Sequence, residues 1–260
     1  MTKPSEIQFR LKEAATQHGV QVVFAVASGH HADGIALPEQ RIEIRFAYLR
    51  SLEDYLRVQE QDETIAPVET ADILLTGWDI RKWLRQIGEV SPHVFAWVHS
   101  PAVYTAEYEL DTRLKALAES RLAMRPLMHH FTELGAKLYH VYLGPHAGQA
   151  ELTVQRYLEM AHTILCARWL QERETYPPRD FSVLLSQLEG NPHHQPLQEM
   201  HQRILSGENP AVDTPSQAVS EFLFKTLQTC LYGAVNLKGG RKQMGELDAL
   251  FYELVQQKGR

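Results

Sequence analysis

In the stretch RIEIRF, Arg41 to Phe46, a period of two sets Ile42, Ile44 and Phe46 on one side of an extended chain and Arg41, Glu43 and Arg45 on the other. Two outward side chains separated by one residue form the arrangement in which a D-x-D pair grips one divalent cation between two carboxylates. Here one of the two positions is a guanidinium. The run before it, VVFAVASG, is apolar and ends in Ser28 and Gly29, a small turn whose backbone amides can point at an anionic group. Arg81 and Lys82 open a helix-patterned segment further on and add two cations. Ser28, Gly29, Arg45 and Lys82 are therefore the candidates for holding a phosphate-sized anion. The competing reading makes these cations strand-edge and helix-surface charges matched by Glu39, Glu43 or Asp79.

Such residues need a scaffold, and the chain changes texture near residue 105. Before it, a helix with Ser5 as its cap and Gly19 as its end is followed by the strand-like runs VQVVFAV, RIEIRFAY and ADILLTG, the last leading into the helix WDIRKWLRQIG. After it, apolar residues recur at helical spacing: Leu110, Leu114 and Leu117, then Phe131, Leu134 and Leu138, then Tyr157, Met160, Ala161, Ile164 and Leu165. The fold class expected is α/β (α+β), a mixed sheet with helices over residues 1–104 followed by an all-helical half over 105–260. Turn-rich breaks divide the helical half, with Asp180 placed to cap one helix and Thr214, Pro215 and Gln217 to start another.

Composition narrows the class. With 260 residues, 44% of them hydrophobic, and a formal charge of −6, the chain has material for a full core and no overall basic character for broad nucleic-acid binding. No apolar stretch reaches the roughly 18 residues that span a bilayer. The start, MTKPSEIQFRLKEAA, lacks the apolar centre of a secretion signal, so a cytoplasmic location is the default expectation. Cys166 and Cys230 sit in apolar helical segments and read as buried free thiols.

Several landmarks, in order, resemble a known family. They are VVFAVASG, Gly34 and Pro38, RFAY, GWDIRKWL, SPHVFAWVHSP with Val103 and Tyr104, MHHFTELGAKLYHVYL, and QRYLEMAHTILCARWLQERETYPP. Together they cover most of residues 20–190 and are similar to the predicted, minimal nucleotidyltransferases of the polymerase-β superfamily. The resemblance implies a nucleotidyltransferase-like sheet that holds a nucleoside triphosphate with magnesium, and helices that complete the cleft. It also implies departures. Relatives carry a turn read S-G-S-R, and His30 and His31 replace its last two residues. The first acid of D-x-D falls on Arg41, the second on Glu43, a third on Leu74, and a glutamate of the later helix on Ala96.

Magnesium asks for near-octahedral oxygen coordination, and one glutamate cannot supply it. A cation at Arg41 opposes an ion there by about 4 kcal/mol at a few ångströms and an effective dielectric of 20. Arg41 and Glu43 are expected to neutralise each other. A substitute site from His30, His31, Asp33 and Glu43 lacks a diagnostic ligand spacing, and solvated loop histidines are the plainer reading. His129-His130 and His193-His194 read the same way. Trp78, Trp83, Trp97 and Trp169 suit a core better than a base-stacking wall. NLKGGRKQ, Asn236 to Gln243, is the one basic spot and reads as a loop between helices.

Three functions follow: a catalytically degenerate nucleotidyltransferase that keeps a nucleotide or phosphate site and acts as a sensor, regulator or partner protein; an active transferase using Glu43 with further acids such as Asp72 or Asp79; and a protein-interaction scaffold. The first is the reading adopted. Its expected partners are a nucleotide and an unidentified protein, with no membrane, and magnesium belongs only to the active alternative.

Overall fold

The computed structural model describes residues 4–144, 151–212, 214–234, 237 and 244–258. Two compact units divide the chain: Met1–Gly29 with Arg41–Arg121 and Arg241–Arg260, and His30–Gln40 with Leu122–Gly240. This differs from a single boundary at 104/105. The stretch joining the first two strands belongs to the helical unit, and two helices of the helix-rich half belong to the sheet unit. Among the described residues no helix is long and apolar enough to cross a membrane.

In the first unit, α1 (Pro4–His18) ends at Gly19, whose φ of +61° is the left-handed conformation that closes a helix. Ser5 lies inside this helix, because Pro4 with its fixed φ already starts the turn. β1 (Gln21–Ser28) follows, then the short α2 (Gly29–Ala32), β2 (Ile42–Leu49), the short α3 (Leu52–Tyr55), β3 (Thr64–Glu69), β4 (Ile73–Asp79), α4 (Ile80–Gly88), α5 (Pro92–Val98), β5 (Val103–Ala106) and α6 (Leu110–Ser120). The second unit is built from α7 (Met124–Tyr142), α8 (Val154–Arg173), α9 (Phe181–Ser186), α10 (His194–Leu205) and α11 (Gln217–Ala234), after which α12 (Gly245–Lys258) returns to the first.

The sheet is mixed, in the order β3-β4-β2-β1-β5, with β2 and β4 parallel and every other pair antiparallel. Its fold class is the one read from the sequence. Alternation gives it two unlike faces. Ile42, Ile44 and Phe46 of β2 join Ile73 and Leu75 of β4 in a core that Ile7, Leu11 and Ala14 of α1 cover. Burial of such side chains contributes about 1.5–3 kcal/mol each. Gly77 belongs to that packing, since a Cβ there would stand 2.3 Å from the Phe46 ring. The opposite face is closed at one end by aromatic packing: Phe24 of β1 meets Trp83 of α4 edge-on at 5.5 Å, and Trp83 meets Trp97 of α5 at 5.1 Å.

α6 and α12 explain why texture alone misplaces the boundary. Both are amphipathic, and both bury their stripes in the sheet unit. Leu110, Leu114 and Ala118 of α6 are buried, and Gly88 at the end of α4 leaves the space that Met244 and Leu247, at the start of α12, fill. Arg113 reaches Glu253 at 2.6 Å, and Arg121 reaches Glu246 at 2.7 Å.

The helical unit grips the stretch between β1 and β2. Arg179 donates from Nε to Asp33 Oδ1 at 2.6 Å, Phe181 N donates to Asp33 O at 2.9 Å, His201 Nε2 to Gly34 O at 2.7 Å, and Gln155 Nε2 to Ile35 O at 2.9 Å. Asp180 caps α9 through Ser182 N, as its position in the sequence predicts. Ser216, rather than Thr214, offers its hydroxyl to the start of α11.

Candidate functional site on the sheet face

Cross-strand register sets the residues of the second sheet face side by side. Ser28 of β1 lies opposite Glu43 of β2, Glu43 beside Leu74 of β4, and Leu74 opposite Glu69 of β3. Two residues along, Val26, Arg45 and Thr76 form the next row. Neighbouring strands are about 4.8 Å apart, so the side chains of one row touch.

Glu43 and Arg45 are half-buried and 3.6 Å apart, Oε2 to Nη2. Gly29, at φ +61°, ends β1 against the same carboxylate, and a Cβ there would come 3.2 Å from Glu43 Oε1. Glycine gives this turn its left-handed conformation without strain, and the Glu43 carboxylate packs into the space it leaves. Arg45 lies 5.5 Å from the centre of the Trp97 ring, Trp97 meets Trp78 at 4.6 Å, and Lys82 Nζ sits 4.2 Å over Trp78. The two cations thus flank an aromatic platform. The Nε of Arg45 is buried and has no hydrogen-bond partner among the described residues. Four residues read from sequence as anion candidates, Ser28, Gly29, Arg45 and Lys82, fall on this one face.

Arg41 does something else. It immediately precedes β2 and pairs with Glu69, not with Glu43 as the sequence spacing suggests. The reason is register: β3 brings Glu69 into the Glu43 row, where Arg41 reaches it, while Arg45 has already taken Glu43. Glu69 is the residue that sequence reasoning missed, since nothing in TIAPVE signals the hairpin that positions it. Arg81 is drawn to Glu63 at 3.6 Å and over the Tyr55 ring at 5.6 Å.

Polymerase-type transfer needs divalent ions, and the residues of this face do not fit them. Glu43 is the one carboxylate in the central three strands of its row, flanked by Ser28 and Leu74. Glu69 stands two strands over, about 10 Å by strand spacing, and is committed to Arg41. Asp79 pairs with Tyr48, five residues along β2 from Glu43 and so about 16 Å away by strand rise. It is buried and caps α4, accepting from Arg81 N at 2.8 Å and from the Tyr55 hydroxyl at 3.1 Å, and burial raises its pKa. Among the described residues no group of three or more His, Cys, Asp or Glu is arranged to hold a metal. His30 instead contacts Glu159 at 3.8 Å and Gln40 at 2.9 Å, and the neighbouring Glu159 carboxylate raises its pKa.

A second arrangement has the outline of a nucleophilic triad. Cys166 Sγ is 3.8 Å from His162 Nδ1, and His162 Nε2 is 3.7 Å from Asp33. Burial lowers the His162 pKa and pushes the Cys166 thiol well up, so both are neutral. His162 Nε2–H donates to Arg179 O at 2.7 Å, which fixes the tautomer and leaves Nδ1 to accept from the thiol. With Cys166 only 1% exposed, this cluster is a core element. Cys230 is buried and free as well. The basic residues Lys238, Arg241 and Lys242 of NLKGGRKQ lie outside the described residues.

YcgL of Bacillus subtilis (strain 168), described as an uncharacterized protein, is 27% identical over 251 residues, which is 95% of this chain and 94% of that protein. A nucleotidyltransferase-like protein of Exiguobacterium sibiricum 255-15 is 14% identical, with 89% of this chain and 75% of that chain covered and a TM-score of 0.31. The model of one family matches residues 4–253, nearly the whole chain. The chain therefore belongs to the RlaP family, described as the RNA repair pathway DNA polymerase beta family, and with it to the polymerase-β-type nucleotidyltransferases.

Proposed function

We propose that this chain is a catalytically degenerate nucleotidyltransferase, one that keeps the fold and an anion site but no longer performs metal-dependent transfer. The observation that carries this reading is the Glu43 row. A lone carboxylate between Ser28 and Leu74, already facing the guanidinium of Arg45, leaves no ligand set for ions between protein and triphosphate. Without the metal neither the attacking hydroxyl nor the developing phosphoryl charge is stabilised, which removes most of the rate such sites supply.

What the face keeps suits recognition. Arg45 has a free Nε and only a loose ion pair, the Ser28-Gly29 turn lies beside it, and Trp97 and Trp78 offer aromatic faces with Lys82 over the second. A phosphate replaces Glu43 as the partner of Arg45, and a base lies along the tryptophans. The family description adds a setting, an RNA repair pathway, so a ribonucleotide, free or at an RNA end, is the first ligand class to try. The protein then serves as a sensor, regulator or partner protein within that pathway.

Calorimetry with each ribonucleoside triphosphate, with and without magnesium or manganese, separates the readings when run beside an assay for labelled nucleotide transfer. A metal-independent binding step that is present in the parent and lost in Arg45→Ala supports the proposal. Metal-dependent binding accompanied by transfer that Glu43→Gln abolishes overturns it in favour of an active enzyme. The absence of binding to any nucleotide at millimolar concentration also overturns it and leaves a scaffold.

A further inference from the structure

The helical unit has a cavity of about 600 Å³, within the range of small-molecule sites and lined by residues of that unit. Its wall includes Arg168 and Glu172 of α8, His193 ahead of α10, and Phe222, Lys225 and Thr226 of α11. Aromatic surface dominates one side: the His193 ring stacks on Phe222 at 4.5 Å and 17°, and the Arg168 guanidinium lies 5.9 Å from the same ring.

Charge in the cavity is unevenly committed. Arg168 Nε donates to Glu172 Oε1 at 2.7 Å, so that cation is matched. Glu221 accepts from Gln217 Nε2 at 2.8 Å. Lys225 has no carboxylate within ion-pair distance among the described residues, and the buried Nδ1 of His193 has no hydrogen-bond partner there. Cys230 lines the cavity too, but burial pushes its thiol up to about 12. That wall is an apolar surface and not a nucleophile. A half-buried aromatic pair beside one uncommitted ammonium matches a planar ring that carries a negative group.

We propose that this cavity binds a small planar aromatic anion of the nucleoside monophosphate class, with its ring against Phe222 and His193 and its anionic group at Lys225. The site holds its ligand by stacking and one ammonium contact and requires no metal. It is independent of the sheet-face reading, and either stands if the other fails.

The test uses the full chain and calorimetry with adenosine monophosphate, uridine monophosphate, adenosine and inorganic phosphate. All measurements are made in the Arg45→Ala background, which removes the sheet-face contribution, and there a monophosphate is expected to bind at least tenfold more tightly than adenosine or phosphate alone. Lys225→Gln is expected to bring the monophosphate down to the level of adenosine, and Phe222→Ala to weaken both by tenfold or more. Because Phe222→Ala disturbs a half-buried position, Ala218→Trp serves as the second variant. Ala218 is exposed on the cavity wall, so the indole fills the space and abolishes binding without touching the core. In that background, absence of binding at millimolar monophosphate, or survival of binding in Ala218→Trp with an unchanged melting temperature, overturns the proposal.

Discussion

Two acid–arginine pairs of the same chemistry are built to opposite ends. Glu43 and Arg45, two residues apart on β2, are half-exposed, 3.6 Å from each other, and leave the Arg45 Nε without a partner among the described residues. Asp33 and Arg179, 146 residues apart, are joined at 2.6 Å and 2.5 Å and enclosed by His162, Phe181 and Tyr176. In a high effective dielectric the first pair is worth about 0–1 kcal/mol and exchanges its partner cheaply. The second has surrendered its hydration and depends wholly on its geometry. A loose pair beside an aromatic platform is what ligand recognition requires, and a tight one is what fixes a loop.

The widest gap between the two should appear when each loses its arginine. Arg179→Met strands the Asp33 carboxylate in the interior and is expected to cost about 3–5 kcal/mol in urea unfolding. Asp33→Asn combined with Arg179→Met should recover a large part of that, because no lone charge remains. If the single variant unfolds at the same urea concentration as the parent, the buried pair is not the anchor of residues 30–40.

Gly29→Ala addresses the other pair. A non-glycine residue at φ +61° costs about 1–2 kcal/mol, and its Cβ meets the Glu43 carboxylate at 3.2 Å. The carboxylate can swing aside, so the cost should stay near the conformational figure and the melting temperature should fall by a few degrees. Smaller still is the stability effect of Arg45→Ala, expected within about 1 kcal/mol, while nucleotide affinity falls tenfold or more. A variant that loses stability and keeps affinity would make Glu43–Arg45 structural like its counterpart and erase the contrast.

How much of this was legible in the sequence depends on chain distance. The alternation in RIEIRF placed Glu43 and Arg45 on one face, and the apolar runs located β1, β2 and β4. β3 went unread because Pro67 and the lack of alternation in TIAPVE hide a strand, and with it went the register that gives Arg41 to Glu69. β5, four residues long, carries too little pattern. From the sequence the aromatic platform reads only as part of a set of four tryptophans suited to a core. Trp83 and Trp97 are indeed buried, but the guanidinium over Trp97 and the ammonium over Trp78 are tertiary facts. The Asp33–Arg179 anchor was invisible for the same reason, since no local rule joins residues 146 apart.

The finest distinction lies in pH, where His30 and His162 of the helical unit pull in opposite directions. His30 has its pKa raised above 6.5, first by the Glu159 carboxylate beside it, with Asp33 and Gln40 adding to it. The folded state therefore favours protonated His30, and the stability this gives is complete below about pH 6.5 and disappears as pH rises through the folded value. His162 has its pKa lowered by burial, so its contribution is present above about 6.5 and is lost as pH falls through that value toward the folded one. The two slopes partly cancel in the parent chain. His30→Gln removes only the first. Its stability deficit against the parent, read from urea midpoints, should be largest near pH 6 and shrink toward pH 8, and Glu159→Gln should shrink in the same direction. A deficit that is constant across that range would mean that His30 is held by Gln40 alone and that its charge has no part in fastening the stretch between β1 and β2.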